Sequence, residues 1–162
     1  MLEHPSLYPG DSSFQQMKLY TIGFTQKTAQ KFFSLIRDNG VQQLIDIRIH
    51  PHGQLSGFAR QRDLAYFLHE LAGQCRYLYL PVLAPSEEMM KEYRKDGNWV
   101  RYAASFEALM DERNIPAGLD RSLFESATGC LLCSEATAEH CHRRLVAERL
   151  ARHWPGVEVV HL

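Results

Sequence analysis

Long apolar runs are absent from this chain: no stretch of about eighteen consecutive apolar residues, the least a membrane-crossing helix needs, occurs anywhere in it. No segment is therefore expected to span a bilayer. Excess charge of either sign is also missing. The 18 Lys and Arg stand against 19 Asp and Glu, a formal net charge of -1, so no overall field draws the chain toward nucleic acid or an anionic membrane. The basic residues are scattered, with Arg60/Arg62 and Arg143/Arg144 as close pairs, a distribution that reads as solvated surface. The first residues have neither a basic start nor an apolar core and do not read as a signal peptide. Residues 1–16, with Pro5, Pro9, Gly10 and Asp11, read as a flexible extension before a single domain over residues 17–162. Cysteine is scarce, with 4 in 162 residues. Without a secretory signal these thiols are expected to be free in a reducing compartment, and the cytoplasm is the expected location.

What is present alternates. Lys18 to Gly23 is β-branched and aromatic and ends in Gly, as a first strand does. Thr28 then caps a helix with Ala29, Phe32, Phe33, Leu35 and Ile36 on its apolar side, stopped at Asn39-Gly40. Val41 to Ile47 reads as a buried parallel strand. A loop with His50-Pro51-His52-Gly53 follows, then a helix from Arg60 to Ala72, and a third strand from Cys75 to Leu80 closed by Pro81. Ser86 caps a short helix, Trp99 to Glu112 makes a longer one, and a further helical piece surrounds Leu119 to Phe124. Gly129 to Cys133 is the fourth strand, a helix is expected from about Thr137 to His153, and Val157 to Leu162 closes the chain. Strands alternating with helices imply an α/β fold: a mainly parallel sheet with helices on both faces, Rossmann-like and three-layered.

In such a sheet, ligands bind beyond the carboxyl ends of the strands. Those ends carry Gly23 and Thr25, then Asp46 and Arg48, then Cys133, Ser134 and Glu135, and lastly His161. The segment around Cys133 is the densest in reactive side chains. A thiol, a hydroxyl and a carboxylate end an apolar run, and Cys141-His142-Arg143 returns a second thiol, an imidazole and a guanidinium. At 100° per residue His142 falls on the stripe of Leu145, Val146 and Leu150, so it points inward. Arg143 lies at the stripe edge, and Arg144 falls on the opposite, solvated side. Cys133 is expected near a helix N-terminus, which favours a thiolate or a bound anion.

These residues have more than one reading. Cys130 and Cys133 show the redox spacing C-x-x-C, but residues three apart in a strand face opposite ways, so Cys130, like Cys75, reads as a buried hydrophobe. Cys133, Cys141 and His142, or His161, make a possible open zinc site. Asp46 and Arg48 fit an internal ion pair as well as a catalytic pair. His50 and His52 read as surface groups. Trp99, Tyr102 and Phe106 fit self-association or packing on the sheet equally well.

Several segments together resemble the bacterial family of the domain of unknown function DUF 488. They are Tyr20-Thr21-Ile22-Gly23, Leu44-Ile45-Asp46-Ile47-Arg48 with Pro51, Tyr77-Leu78 with Leu80-Pro81, and Tyr102-Ala103. The most specific is Cys133-Ser134-Glu135 followed after five residues by Cys141-His142-Arg143, and Val159-Val160-His161-Leu162 also fits. The resemblance runs from about Lys18 to the end and implies the same α/β fold. Phe24 and Thr25 stand where the family usually has His and Ser, and His52-Gly53-Gln54-Leu55 where it often has a Ser-Arg-rich loop. These departures imply a difference in substrate or activity. The family has no settled function, so the resemblance names no reaction.

The leading expectation is an enzyme with Cys133 as nucleophile, Glu135, His142 and Asp46 as further catalytic groups, and Arg48, Gly23, Thr25, Ser134 and Arg143 in binding. Its substrate is expected to be a small anionic ligand, a nucleotide or nucleic acid. The alternatives are a non-catalytic anion- or partner-binding module and a Cys/His metal-binding protein. No cofactor is named by the sequence, since Gly23-Phe24-Thr25 lacks the further glycines of a dinucleotide loop. The sequence leaves the oligomeric state open.

Overall fold

A computed structural model describes residues 16–162. The extension expected over residues 1–16 lies outside them except for Gln16. Five strands form one sheet: β1 (Met17–Gly23), β2 (Gln43–Asp46), β3 (Arg76–Tyr79), β4 (Gly129–Cys133) and β5 (Val157–His161). Their spatial order is β3-β2-β4-β1-β5, and every neighbouring pair is parallel. The helices are α1 (Ala29–Asp38), α2 (Gln61–Leu71), α3 (Glu87–Asp96), α4 (Trp99–Glu112), α5 (Ser122–Glu125) and α6 (His142–His153). Among the described residues, no helix is long and apolar enough to cross a membrane.

Side-chain alternation along β4 divides the core into two layers, as a period of two requires. Cys130 and Leu132 pack with Phe32, Phe33 and Ile36 of α1 and Leu64 and Leu68 of α2. Leu131 faces the opposite way, against Phe106 and Met110 of α4 and Val146 and Leu150 of α6. The helices thus cover both faces, with α1 and α2 on one and α4 and α6 on the other. Tyr102 and Phe106 are buried in that second layer, so packing accounts for them.

Local signals set most element ends. Thr28 Oγ1 accepts from the Lys31 backbone N–H at 3.1 Å, satisfying one of the donors that a helix start leaves free. Thr28→Ala is expected to cost about 1 kcal/mol; an unchanged denaturant midpoint would show that water replaces this cap without penalty. Ser86 and Asn98 cap α3 and α4 in the same way. The strands β2 and β3 are shorter than expected by a residue or two at each end, within the usual latitude of such boundaries.

Two boundaries move further. The helical piece expected around Leu119 to Phe124 is the shorter α5, starting only at Ser122. The helix expected from Thr137 begins at His142, and residues 134–141 form a loop instead. No breaker occurs in Thr137-Ala138-Glu139-His140, so local propensity carried no warning. Side-chain contacts from the first turn of α6 hold the loop open: Arg143 Nη1 donates to the Glu135 carbonyl at 2.6 Å, and Arg144 Nη1 to that of Glu139 at 2.7 Å. Further along α6, buried Arg149 donates to the Ile115 carbonyl at 2.8 Å and pairs with Glu107 and Asp111. This network locks α6 onto α4 and sets the position of the helix start.

Candidate functional site

The connection after β1 passes over one face of the sheet through α1, and the one after β4 over the other face through α6. Chain paths diverging in this way leave a crevice beyond the carboxyl ends of the two strands. Gly23 and Cys133, the last residues of β1 and β4, are register partners there.

Cys133 is buried, and its Sγ lies 3.5 Å from His142 Nδ1. His142 is the first residue of α6, so the loop 134–141 brings the helix start back to the strand end. The other ring nitrogen is held as well: Nε2 donates to the Ile47 carbonyl at 2.9 Å. With Nε2 bearing the hydrogen, Nδ1 is free to exchange a proton with sulfur. Cys141 adds a second thiol, with Cys133 Sγ, Cys141 Sγ and a His142 nitrogen all within 4.8 Å of one another. A hydrogen bond from the Cys141 thiol holds the Cys133 thiol well below the usual thiol range, against the effect of burial, with the charge of His142 acting in the same direction. Burial lowers the His142 pKa, but the charge and hydrogen bond of Cys133 outweigh it and the net shift is upward. Cys141 is driven the other way, because its proton is engaged by Cys133 and the site is buried. The coupling thus favours the charge on Cys133 and the proton on Cys141.

The other two cysteines behave differently. Cys75 and Cys130 lie in the opposite layer. Burial pushes the Cys75 thiol up to about 11 and Cys130 well above its ordinary value. The C-x-x-C pair is thus split between the two faces of β4.

The thiol cluster forms one wall of a cavity of about 180 Å³. Tyr93 and Tyr102, with ring centroids 4.8 Å apart, line another part of it, together with Arg94, His140 and Glu135. Trp99 stacks on Tyr102 and lies 5.1 Å from the His140 ring.

Of the residues expected at the site, Cys133, Ser134, Glu135, His142 and Arg48 line this cavity. Asp46, Gly23, Thr25 and Arg143 stand behind it, each with a structural task visible in its contacts. Arg48 Nε and Nη2 donate to the two Asp46 oxygens at 2.8 and 2.6 Å, and Tyr77 Oη donates to Asp46 Oδ2 at 2.7 Å. The Asp46 carboxylate is 0% exposed and its oxygens are fully engaged. Arg48 also donates to the Ala59 carbonyl, and Phe24 lies under its guanidinium, 5.4 Å from ring centroid to Cζ. Arg143, expected at the edge of the helix stripe, is 1% exposed. It donates to Glu135 O and to Thr21 Oγ1, and approaches Cys141 Sγ at 3.7 Å. The Thr25 N–H donates to the Ser134 carbonyl at 3.1 Å. A Cβ on Gly23 would come within 1.6 Å of the Glu135 carbonyl oxygen, so only glycine lets the loop cross the end of β1.

Several participants were not among the residues singled out for catalysis or anion binding from the sequence: Tyr93, Arg94, Tyr102, His140, the Ile47 carbonyl, and Cys141 outside the metal alternative. Cys141 had a signal in its place beside His142, whereas a backbone carbonyl has none. His161 is not in the thiol cluster; its Nδ1 lies 2.7 Å from Thr21 Oγ1. Among the described residues, Cys133, Cys141 and His142 are the group that can hold a metal ion, with donor types that suit zinc. The held Nε2 is the support that a metal-ligating imidazole commonly has.

Neither a curated protein nor a solved structure matches this chain. The model of the family described as "Domain of unknown function DUF488" matches residues 28–150, more than half of the chain. That match takes in the Asp46–Arg48 strand end, the aromatic helix α4 and the whole segment from Cys133 to Arg143, so the chain belongs to the DUF488 family.

Proposed function

We propose that this protein is an enzyme whose nucleophile is the Cys133 thiolate, acting on a small anionic substrate that enters the cavity beside it. One observation carries the reading: Cys133 Sγ is 3.5 Å from His142 Nδ1, while Nε2 of the same ring is fixed on the Ile47 carbonyl at 2.9 Å. Nucleophile, base and orienting group in series are what covalent catalysis by a thiol requires. His142 is the proton carrier, and Glu135 is a second acid–base group at the cavity wall. Arg94 supplies positive charge for the substrate's anionic part, and the His140 imidazole lines the cavity with it. A volume of about 180 Å³ supports a small molecule over a nucleotide, since drug-sized ligands fill roughly 300 Å³ or more.

Alkylation by iodoacetamide, followed by peptide mass spectrometry, tests this. Cys133 is expected to be modified first, and to keep reacting at pH values below the ordinary thiol range, because its thiolate is favoured there. Cys75 and Cys130 should react only after denaturation. His142→Gln should slow Cys133 at pH 7 by about tenfold and move its profile upward, because it removes the charge and hydrogen bond of the imidazole while the Cys141 hydrogen bond remains. A Cys133 that stays inert until the protein unfolds would defeat the proposal.

A second reading has its own observation in the close approach of Cys133, Cys141 and His142. A divalent cation there would neutralise two thiolates and leave a fourth position toward the cavity. Protection of Cys133 as purified, released by a chelator and restored by Zn²⁺, would replace the nucleophile reading with this one.

A further inference from the structure

We propose that Cys141 is a second reacting thiol, and that the substrate is a small two-electron acceptor with a labile sulfur–sulfur or oxygen–oxygen bond. This rests on Cys133 being the nucleophile and goes beyond it by naming the reaction class.

The four cysteines fall into two kinds. Cys75 and Cys130 are packed among aliphatic and aromatic side chains on the α1/α2 face. Cys133 and Cys141 have their sulfurs within 4.8 Å of each other, beside the same imidazole, at a cavity wall. A nucleophile that only forms an adduct released by water has no need of a second thiol at that distance. Two thiols so placed convert an adduct on the first into a bond between them. The backbone around Cys141 allows the approach. Cys141 precedes α6 in an extended conformation (φ -132°, ψ 139°) at the end of the loop 134–141, outside the ladder of the sheet. Its sulfur is held from behind by Arg143 Nη1 at 3.7 Å.

The steps balance for a disulfide RS–SR. The Cys133 thiolate attacks one sulfur, the S–S bond breaks, and the electron pair leaves as RS⁻, which takes the proton of the His142 imidazolium. Cys133 now carries SR, and His142 is neutral. Cys141 gives its proton to His142 Nδ1 and attacks Cys133 Sγ; the second RS⁻ leaves with that proton. The sum is two protein thiols plus RS–SR giving a Cys133–Cys141 disulfide plus two RSH. The protein loses two electrons and the substrate gains them. With a hydroperoxide the first step gives a sulfenic acid on Cys133 and an alcohol or water, and the second releases water.

The full chain, reduced and desalted, is treated with either dithiodiglycolate, a small dicarboxylate disulfide, or hydrogen peroxide, and its peptides are mapped without reduction. A Cys133–Cys141 crosslink, with Cys75 and Cys130 unmodified, is the expected result. If it forms at least tenfold faster with the disulfide, the substrate is of the sulfur–sulfur class; the reverse ratio assigns the oxygen–oxygen class. Cys141→Ser should stop at the first step, leaving a lasting thioglycolate adduct on Cys133, or a sulfenic acid that dimedone traps. Cys133→Ser should leave Cys141 unreacted. The proposal is overturned if Cys133 alkylates rapidly yet no crosslink forms, or if Cys141→Ser clears its adduct as fast as the unmodified chain; either result leaves the nucleophile reading standing. An inert Cys133 overturns both.

Discussion

Arg48→Met is expected to destabilise the protein by about 3–5 kcal/mol, the usual cost of stranding one partner of a buried ion pair. Asp46 is 0% exposed and Arg48 3%, so neither charge has water to fall back on. Removing the guanidinium leaves the carboxylate with the Tyr77 hydroxyl and the Arg48 backbone N–H, which donates to Asp46 Oδ1 at 3.1 Å. These bonds cannot neutralise a full charge in a low-dielectric site. The double replacement Asp46→Leu with Arg48→Met should recover most of the loss, because a buried pair replaced whole by apolar side chains is often nearly neutral. Chemical denaturation of the parent and the two variants measures this directly. A single variant within about 1 kcal/mol of the parent would contradict the structural role given to the pair.

The pair also bears on the chemistry. Asp46 and Arg48 bracket Ile47, whose N–H donates to the Leu132 carbonyl at 3.2 Å and whose carbonyl holds His142 Nε2. A loosened strand end should let the imidazole turn away from Cys133. Slower iodoacetamide reaction at Cys133 is therefore expected in Arg48→Met, under conditions where the variant is still folded. If reactivity is unchanged while stability falls, the pair acts on folding alone.

Gly23→Ala is the second large effect, expected at about 3 kcal/mol, the upper end for overpacking, with at least a tenfold loss of Cys133 reactivity. The reason is space and not backbone freedom. A Cβ at Gly23 would stand 1.6 Å from the Glu135 carbonyl oxygen and 2.7 Å from Arg143 Nη1. The first contact is with backbone, so the loop 134–141 has to move and cannot keep the 2.6 Å bond from Arg143 to Glu135. Cys141 and His142 are carried at the end of that loop, and both would leave Cys133. Near-parental stability together with near-parental alkylation would show that the loop has more room than the structure gives it.

Much of this was legible from residue order. The α/β class followed from strands and helices in alternation, and the sheet is fully parallel as that alternation requires. Gly129–Cys133 and Trp99–Glu112 have the ends that their composition indicates, and Thr28 and Ser86 cap the helices they precede. The inward direction of His142 came from helical spacing alone. The expected start of α6 at Thr137 failed because Arg143 and Arg144 take up loop carbonyls, and such contacts leave no trace in local propensity.

The sequence by itself determined the chain's class, its strand ends and the reactive types delivered there, because hydrophobic periodicity, caps and turns act over a few residues. Only the tertiary structure decided which of those groups meet. The order β3-β2-β4-β1-β5 sets Cys133 beside Gly23. The loop 134–141 returns Cys141 and His142 to the same strand end, while Asp46 and Arg48 satisfy each other. Residue order places Asp46 near Arg48 and Cys133 near His142, but the burial of the pair and the meeting of His142 with the distant Ile47 carbonyl are fixed by the folded packing alone.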